Sequence, residues 1–249
     1  YFEVLDRLEA ALEHKLSRPV VPSAVEIDSK NFKISANTEQ ADNTAHNEGP
    51  VKYAFDKNPN TIWHSSYNPM FTVSADNPAE ITIDMGKSYT INQFSYLQRP
   101  AGGNNGKVQK YNLYVKSNQA DKWKKIVTDG TFADKQELQK VTFDEVEAQY
   151  VKFEVTQGFG NFATAAELAV YQKASDFSKL QEAMDEAEKL DRTKYLEVYY
   201  SNIDQLCEEA EELLKDFMTE QAKIDALTEQ LQKALDALEA LAAKSDIKL

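Results

Sequence analysis

The sequence predicts a multidomain β plus α protein: an antiparallel β-sandwich followed by a three-helix bundle, with one helix in front of them. Two observations carry this prediction. Residues 174–249 contain neither Gly nor Pro and are rich in Ala, Leu, Glu, Gln and Lys, the strong helix formers. Residues 23–173 contain all eight Gly and show alternating apolar and polar runs between turn residues, which is typical of half-buried strands.

The N-terminal segment, residues 1–22, has the periodicity of one amphipathic helix, and Pro19 and Pro22 end the pattern. A single helix of about 16 residues cannot bury its apolar stripe alone. Because the chain starts with Tyr1 and not Met, we interpret it as a piece of a longer protein. The helix is then the tail of an upstream domain, or else it packs on the other two blocks. The stripe consists of Phe2, Leu5, Leu8, Leu12 and Leu16.

The middle block, residues 23–173, contains the predicted strands. Alternating runs at 80–84, 89–97, 111–115 and 150–155 are enriched in β-branched and aromatic residues, which favours strands. Strands separated by turn-rich stretches over about 150 residues fit an antiparallel sandwich. The stretch 98–109 contains three Gly and predicts a loop at one end of the sandwich, where binding residues commonly lie.

The C-terminal block, residues 174–249, predicts helices over about 177–190, 194–216 and 219–243. Their connections are so short that neighbouring helices must run antiparallel. The positions predicted to face inward are Leu180, Ala183, Met184, Ala187 and Leu190, then Leu196, Tyr199, Ile203, Leu206, Ala210 and Leu213, then Ala222, Ile224, Leu227, Leu231, Ala234, Leu238 and Leu241.

The net charge of −13 comes from 41 acidic and 28 basic residues, and such a chain repels phosphate backbones, which argues against nucleic-acid binding. Most of the charge is on residues 174–249, which hold 19 acidic and 9 basic residues, whereas residues 23–173 hold 18 and 16. We interpret the acidity as the solvated surface of the helices. No run reaches the ~18 apolar residues of a membrane span, so membrane insertion is not expected.

The residue counts do not support a catalytic site. A single Cys excludes a disulfide framework and a multi-Cys metal site. The three His, His14, His46 and His64, lie outside nucleophile-elbow and H-E-x-x-H motifs. Cys207 lies at helical spacing from Ile203, which favours a small buried residue over a nucleophile. The fragment is therefore predicted not to be an enzyme.

Four segments of the middle block match, in order, the signatures of a known family. Residues 54–65 read A-F-D-K-N-P-N-T-I-W-H-S, residues 83–87 read I-D-M-G-K, residues 150–153 read Y-V-K-F, and residues 165–171 read A-A-E-L-A-V-Y. This set resembles the discoidin, or coagulation factor 5/8 type C, domain, a β-sandwich of the jelly-roll kind. The His after the Trp is similar to bacterial family 32 carbohydrate-binding modules. One departure is Lys57, where Gly is usual.

The C-terminal block is similar to the FIVAR three-helix repeat over residues 177–241, through the spacing of its Ala and Leu. The two modules occur together in large secreted bacterial enzymes that attack host or mucin glycans. The resemblance therefore implies a secreted or cell-surface bacterial protein. Its parent would be a glycoside hydrolase, with a hyaluronidase-like N-acetylhexosaminidase as first choice, or a mucin-directed peptidase. The bundle would be a spacer or a contact for a protein partner.

The discoidin resemblance also implies a structural Ca²⁺ ion. Carried over to this chain, its ligands are Asp56, the carbonyl of Asn58 or a neighbour, Thr61, Ala166 and Glu167. These groups are hard oxygen donors of the kind that Ca²⁺ prefers, and the ion would fasten an early loop to the last strand. In the alternative interpretation, Asp56 and Thr61 only cap a turn and Glu167 is a surface charge.

The same resemblance implies a sugar site on the loops. A sugar ring needs a few polar groups for its hydroxyls and an aromatic face for its C–H surface. Each of the residues concerned also has an ordinary structural alternative, such as a packed His, a strand-end Arg or a turn Asn. The implied sugar-binding residues are His64, Tyr67, Arg99, Asn104 and either Phe159 or Phe162.

The leading prediction is a non-catalytic carbohydrate-binding module that holds an attached glycoside hydrolase near its substrate. Its ligands would be glycans that end in galactose, N-acetylgalactosamine (GalNAc) or N-acetylglucosamine (GlcNAc). The alternative is a protein–protein interaction or scaffolding fragment without sugar binding. A third reading, binding to anionic lipid, is disfavoured because the predicted sandwich is nearly neutral and basic clusters are the usual mark of such surfaces.

Overall fold

The structure is a computed structural model that describes residues 18–245. These residues divide into two compact units: residues 26–173, and residues 174–245 together with residues 18–25. The helix predicted for the N-terminal segment lies almost wholly outside the described residues. The domain boundaries predicted at residues 22 and 173 stay predictions.

Strands dominate the first unit. In chain order the strands are β1 (Ala24–Glu26), β2 (Lys33–Ala36), β3 (Glu48–Gly49), β4 (Ile62–His64), β5 (Ala79–Leu97), β6 (Val108–Lys116), β7 (Lys124–Gly130), β8 (Gln139–Gly158), β9 (Thr164–Ala165) and β10 (Glu167–Lys173). Short 3-10 helices lie at Ser29–Asn31, Val51–Phe55 and Phe159–Asn161.

Two sheets form the sandwich. The larger sheet has seven strands in the order β1-β10-β5-β8-β6-β7, with β2 also paired to β5. The smaller sheet has the order β3-β4-β9. The registered pairs are antiparallel except β3 with β4, which run parallel. The predicted antiparallel sandwich is therefore confirmed, and the predicted strands at 111–115 and 150–155 lie within β6 and β8.

The predicted strands at 80–84 and 89–97 are two halves of one strand, β5. The strand bends at Gly86, whose φ of 82° is in the region that favours glycine. Its pairing with β8 shifts register between Asp84 and Tyr89. The loop predicted at 98–109 is the connection between β5 and β6, and it carries two of the proposed sugar-binding residues to one end of the sandwich.

The core of the sandwich lies between the sheets and is built by alternation. Ile81, Ile83 and Met85 of β5 are buried, while the residues between them face away from the core. Burying each large apolar side chain contributes about 1.5–3 kcal/mol before the entropy cost of folding. The largest fully buried side chains here are Trp63, Tyr96, Tyr111, Phe94 and Phe153.

Three helices follow, as predicted: α1 (Ser178–Glu188), α2 (Glu197–Leu213) and α3 (Gln221–Ser245). A 3-10 turn, Arg192–Lys194, lies between α1 and α2. Their apolar faces form one core that also includes the partly buried Val21 of the N-terminal segment. The side chain of Arg18 reaches the same unit and forms ion pairs with Asp185, at 2.8 Å, and with Glu188.

Four of the predicted inward positions in this unit are wrong. Leu196 is 68% exposed because α2 begins only at Glu197, about one turn later than the prediction, and Tyr199 in its first turn is 48% exposed. Ala222 is exposed in the first turn of α3, and Leu241 is exposed in its last turns. With 25 residues, α3 is longer than α1 and α2, so its ends extend past the shorter helices. Leu214 and Leu235 are buried instead.

Within residues 18–245, no helix combines the length and the apolar character needed to cross a membrane.

Candidate functional site

The site begins where β4 pairs with β9. The register places His64 opposite Thr164, and just beyond the strands the Ser65 N–H donates to the Ala163 carbonyl at 2.8 Å. The Ala163 N–H in turn donates to the Ser65 hydroxyl at 3.0 Å. This pairing brings together the loop that follows the signature Trp and the segment before β9, which are about 100 residues apart in sequence. His64 and Phe162 become neighbours for this reason.

His64 is only 4% exposed and lies between two aromatic rings. Its ring centroid is 5.3 Å from that of Tyr67, edge to face, and 5.4 Å from that of Phe162. Nδ1 is 2.6 Å from the Ser65 carbonyl, which can only accept, so Nδ1 carries the proton and Nε2 is left as an acceptor. Burial lowers the pKa of His64, which keeps the imidazole neutral near pH 7.

Tyr67 is fixed by groups that sequence reasoning missed. Its hydroxyl donates to Glu48 Oε1 at 2.9 Å and accepts from Asn43 Nδ2 at 3.0 Å. Its backbone N–H donates to Gln40 Oε1 at 3.0 Å. The Glu48 carboxylate also acts on the pKa of His64, so it lies within electrostatic reach of the ring. No local pattern signals this, because the partners are 19 to 27 residues apart and meet only in the folded loops.

Arg99 is held by the glycine-rich loop. Its Nη1 donates to the Asn105 carbonyl at 2.8 Å. A Cβ on Gly103 would lie 2.6 Å from Nη2 and 2.8 Å from Cζ, so glycine is what allows the guanidinium to lie against the backbone. Nε is buried and has no hydrogen-bond partner among the described residues. The Arg99 charge helps to lower the pKa of the neutral His64 imidazole, which places the two side chains in one site.

Backbone hydrogen bonds join this loop to the segment that carries both Phe candidates. The Gly106 N–H donates to the Phe159 carbonyl at 2.8 Å, and the Phe159 N–H donates to the Lys107 carbonyl at 2.9 Å. The Thr164 N–H donates to the Gly106 carbonyl at 2.8 Å. Gly106 has a φ of 84°, and a Cβ there would lie 2.4 Å from Thr164 Cγ2. Both loops of the site are therefore fixed to each other without help from a ligand.

The structure thus brings most of the predicted sugar residues together. His64, Tyr67 and Phe162 are in ring contact, and Arg99 lies within electrostatic reach of His64. Asn104 is exposed on the same loop as Arg99. Phe159 is 46% exposed and Phe162 is half-buried against His64, so the two Phe have different surroundings. Phe162 forms part of the wall, whereas nearly half of Phe159 is exposed to solvent.

The predicted calcium ligands form a second cluster, in the turn before β4. Asp56 Oδ1 accepts from the Asn58 N–H at 2.9 Å, and Oδ2 accepts from the Thr61 hydroxyl at 2.7 Å. The Thr61 hydroxyl is also 2.9 Å from the Asn58 carbonyl. Lys57, where the family usually has Gly, adopts a φ of 62° and keeps the turn in the conformation that glycine favours.

Glu167, at the start of β10, faces this turn. Burial and the nearby Asp56 carboxylate raise the pKa of Glu167 to about 7. Its Oε1 is buried without a hydrogen-bond partner among the described residues. Ala166 is fully buried, and its N–H donates to the Leu97 carbonyl at 2.9 Å. A cation between the two carboxylates would satisfy the oxygen that lacks a donor, so the residues present fit a bound Ca²⁺.

Most ligands of such an ion would be uncharged. Among residues 18–245 there is no group of three or more His, Cys, Asp and Glu placed to hold a metal. The cluster offers two carboxylates, with hydroxyl and carbonyl oxygens around them, which is a donor set suited to Ca²⁺ and not to zinc.

The surroundings of two further residues bear on catalysis and on the core. Trp63 is fully buried, and its Nε1 donates to the Thr38 carbonyl at 3.1 Å, so it belongs to the core. Cys207 is partly buried against the helical core, and burial raises its pKa to about 11. A thiol with such a pKa is a poor nucleophile at neutral pH.

Known structures resemble the sandwich. One is CpGH89CBM32-5 of Clostridium perfringens, solved in complex with GalNAc-β-1,3-galactose: it is 38% identical, and the match covers 59% of this chain and 99% of that chain with a TM-score of 0.52. Another is the family 32 carbohydrate-binding module of C. perfringens NanJ, solved in complex with galactose. It is 29% identical, and the match covers 60% of this chain and 99% of that chain with a TM-score of 0.51. Both are binding modules, in agreement with the prediction that the fragment is not an enzyme.

Relatives found by sequence are larger proteins. An A type blood N-acetyl-α-D-galactosamine deacetylase of Flavonifractor plautii is 36% identical over 125 residues, which is 50% of this chain but 15% of that protein. A sialidase of Micromonospora viridifaciens is 28% identical over 135 residues, or 52% of this chain and 20% of that protein. The chain therefore spans a small part of the length of these relatives. The F5/8 type C domain model matches residues 33–168, more than half of the chain, and the chain belongs to the F5/8 type C domain family.

Proposed function

We propose that the unit of residues 26–173 binds glycans through terminal galactose or GalNAc. The observation that carries this is the placement of His64 between the rings of Tyr67 and Phe162, with Arg99 held beside them by the loop of Gly103. Two similar solved modules support it, since one was solved with GalNAc-β-1,3-galactose and the other with galactose. The relatives do not favour the alternative of a scaffold without sugar binding.

The groups of the site suit a neutral sugar. Nε2 of His64 accepts from a hydroxyl, the Arg99 guanidinium donates to ring or hydroxyl oxygens, and the Asn104 amide does both. The exposed ring of Phe159 is available for the C–H face of the sugar, which the axial hydroxyl of galactose leaves open on one side. Glu48, next to Tyr67, would repel an acidic sugar at this position. GlcNAc, which differs from GalNAc in the orientation of one hydroxyl, is a third ligand to test.

Ca²⁺ forms part of the proposal as a structural ion. Asp56, Thr61 and Glu167 would hold it, together with the carbonyl of Asn58 and the backbone of Ala166. The support is the buried Oε1 of Glu167 and the short distances within the Asp56 turn. The ion would neutralise the repulsion between the two carboxylates and fasten the turn before β4 to β10.

The wider context is also proposed. The helical unit would act as a FIVAR-like spacer or as a contact for a protein partner. The chain would be part of a secreted or cell-surface bacterial glycoside hydrolase, of the hyaluronidase-like N-acetylhexosaminidase type. The support is the sugar-active relatives and the helical pattern of residues 177–241. One shallow site would bind weakly, and linked copies would raise the avidity through effective concentration.

Isothermal titration calorimetry with galactose, GalNAc and GlcNAc tests the sugar site. We expect His64→Ala and Arg99→Ala each to abolish measurable binding, because each removes a group that touches the sugar. His46→Ala is the matched control, since the side chain of His46 is exposed whereas that of His64 is buried. The proposal fails if no sugar binds to a folded protein, or if both site variants bind as well as the wild type.

A further inference from the structure

The hairpin of β6 and β7 concentrates positive charge on an otherwise acidic molecule. Residues 110–125 contain five Lys and one acidic residue, which leaves 11 basic and 17 acidic residues in the rest of 23–173. Among the described residues none of these five Lys forms an ion pair with a carboxylate, whereas Lys107 and Lys152 do. The single acid of 110–125, Asp121, accepts hydrogen bonds from the backbone and side chain of Asn118, and the hairpin holds one more acid, Asp129, in β7. The five are Lys110, Lys116, Lys122, Lys124 and Lys125.

Aromatic rings alternate with these lysines on the surface of the sheet that faces away from the core. Nζ of Lys116 lies 5.0 Å from the ring centroid of Trp123 and 4.9 Å from that of Tyr150. Nζ of Lys125 lies 5.1 Å from the ring centroid of Tyr114. We call the six residues Tyr114, Lys116, Trp123, Lys125, Tyr150 and Lys152 the lysine–aromatic face.

Lys152 lies at the centre of this face. Its side chain is 14% exposed. Its Nζ lies 4.6 Å from the ring centroid of Tyr114 and 5.6 Å from that of Trp123. It also pairs with Glu80 at 2.8 Å, and the Tyr114 hydroxyl donates to Glu154 at 3.0 Å. Lys152 is therefore neutralised within the fold and keeps the rings in place. Lys116 and Lys125 around it have no such carboxylate partner.

The face is separate from the sugar site. The Arg99 loop joins β6 at Val108, and Lys116 is eight residues further along the same strand. At about 3.3 Å per residue this is about 26 Å. The face also spans the three adjacent strands β7, β6 and β8, or about 10 Å across at the usual strand spacing. That width is on the order of one disaccharide unit.

We propose that the lysine–aromatic face binds an acidic polysaccharide, one that carries carboxylate or sulfate groups along its chain. Charge complementarity selects this class of ligand, because the ammonium groups lie over the ring faces and would meet the ligand first. A neutral sugar would have to displace them to stack on the rings. An anionic chain would contact the ammonium groups without displacing them, and its pyranose C–H surfaces would lie along the edges of the rings.

The lysine–aromatic face does not suit a bilayer. The large exposed apolar side chains of the described residues include Met70, Leu138 and Phe159, and none lies in the β6–β7 hairpin. Lipid binding through this face would therefore lack an apolar anchor. The inference does not depend on the proposed galactose site, and the two can fail separately.

Calorimetry of the full chain with a chondroitin sulfate hexasaccharide tests the proposal. We expect binding at 50 mM salt that weakens about ten-fold at 300 mM, because exposed charges are screened over shorter distances at higher salt. The double variant K116S/K125S should lose about ten-fold in affinity. The matched control is K87S/K140S, which removes the same charge from two other lysines that lie over Tyr rings. It should change the affinity less than two-fold.

Several outcomes would overturn the assignment. One is the absence of binding at 50 mM salt, and another is an equal loss in both double variants, which would mean that only net charge matters. Loss of the hexasaccharide signal in His64→Ala would place the ligand in the sugar site. If the wild type binds no glycan but forms dimers at low salt, and K116S/K125S abolishes those dimers, the face binds a second copy of the chain. Sedimentation with phosphatidylserine vesicles, lost in K116S/K125S and again without glycan binding, would assign it to lipid.

Discussion

Gly103 lies against the guanidinium of Arg99, where a Cβ would approach Nη2 to within 2.6 Å. Gly103→Ala would therefore move the end of a flexible side chain and leave the backbone in place. We expect little change in stability but a loss of about ten-fold in sugar affinity, which corresponds to about 1.4 kcal/mol of interaction lost when the guanidinium shifts. Calorimetry with GalNAc and a thermal melt separate the two effects.

The control for this variant is Ala101→Val, on an exposed position of the same loop. It should bind sugar as the wild type does. Equal affinity in Gly103→Ala and wild type would show that the orientation of Arg99 is not needed for binding.

Tyr67→Phe should weaken sugar binding several-fold and destabilise the sandwich by about 1–1.5 kcal/mol. The variant deletes a hydroxyl that joins Asn43 and Glu48 and so loosens one wall of the site. Urea denaturation and calorimetry measure both quantities. Tyr53→Phe is the matched control, because its hydroxyl donates to Asp42 on an exposed surface at 2.7 Å. If Tyr67→Phe and Tyr53→Phe have the same sugar affinity and the same stability in urea, the Tyr67 hydroxyl does not contribute to the site.

Added Ca²⁺ should raise the melting temperature of the sandwich. At a concentration 100 times Kd the stabilisation is about 2.7 kcal/mol, or about 5–10 °C for a unit of this size. Glu167→Gln should remove most of this shift, because it deletes the negative charge of the carboxylate whose buried Oε1 lacks a donor. The exposed Glu137→Gln is the control. An unchanged melting temperature in Ca²⁺, with the wild type freed of metal by a chelator, would contradict the calcium proposal.

His64 should make the sandwich less stable as the pH drops below 6.5, the ordinary pKa of His, whereas Glu167, whose pKa is raised to about 7, acts in the opposite direction when no cation is bound. Burial lowers the pKa of His64 in the folded state, so the unfolded chain binds a proton there that the folded chain does not. The loss of stability due to His64 takes place between pH 6.5 and the pKa of His64 in the folded state. Urea denaturation between pH 5 and 8 measures it. The slope of the unfolding free energy against pH should lose the contribution of His64 in His64→Gln and stay unchanged in His46→Gln. A wild-type slope in His64→Gln would exclude His64 as the cause.

Arg18→Ala should destabilise the helical unit by about 1–3 kcal/mol without changing sugar affinity. The Arg18 side chain is 8% exposed, and its loss removes the ion pairs with Asp185 and Glu188 from a mostly buried position. Thermal unfolding followed by circular dichroism at 222 nm measures this. The control is Lys223→Ala, which breaks an exposed pair with Glu220 and should cost less than about 1 kcal/mol. If both variants melt alike, the N-terminal segment does not stabilise the helical unit through Arg18.

Local patterns predicted the elements well, and their limits have a physical cause. The alternation at 80–84 and the helical spacing of Leu180, Ala183 and Ala187 are set by neighbours in sequence, and the structure has a strand and a helix there. The prediction at Leu196 was wrong because periodicity continues past the point where a helix begins. The division of 80–97 into two strands was wrong because Gly86 bends one strand instead of ending it.

The sequence by itself determined the fold class, the family signatures and the local turn of Asp56 and Thr61, because these depend on residues a few positions apart. Tertiary structure alone decided that Phe162 packs on His64, that Glu48 fixes Tyr67, and that lysines from three strands share one set of rings. The physical reason is that strand register and the packing of the loops bring together side chains that are 19 to about 100 residues apart, and no periodicity records that pairing.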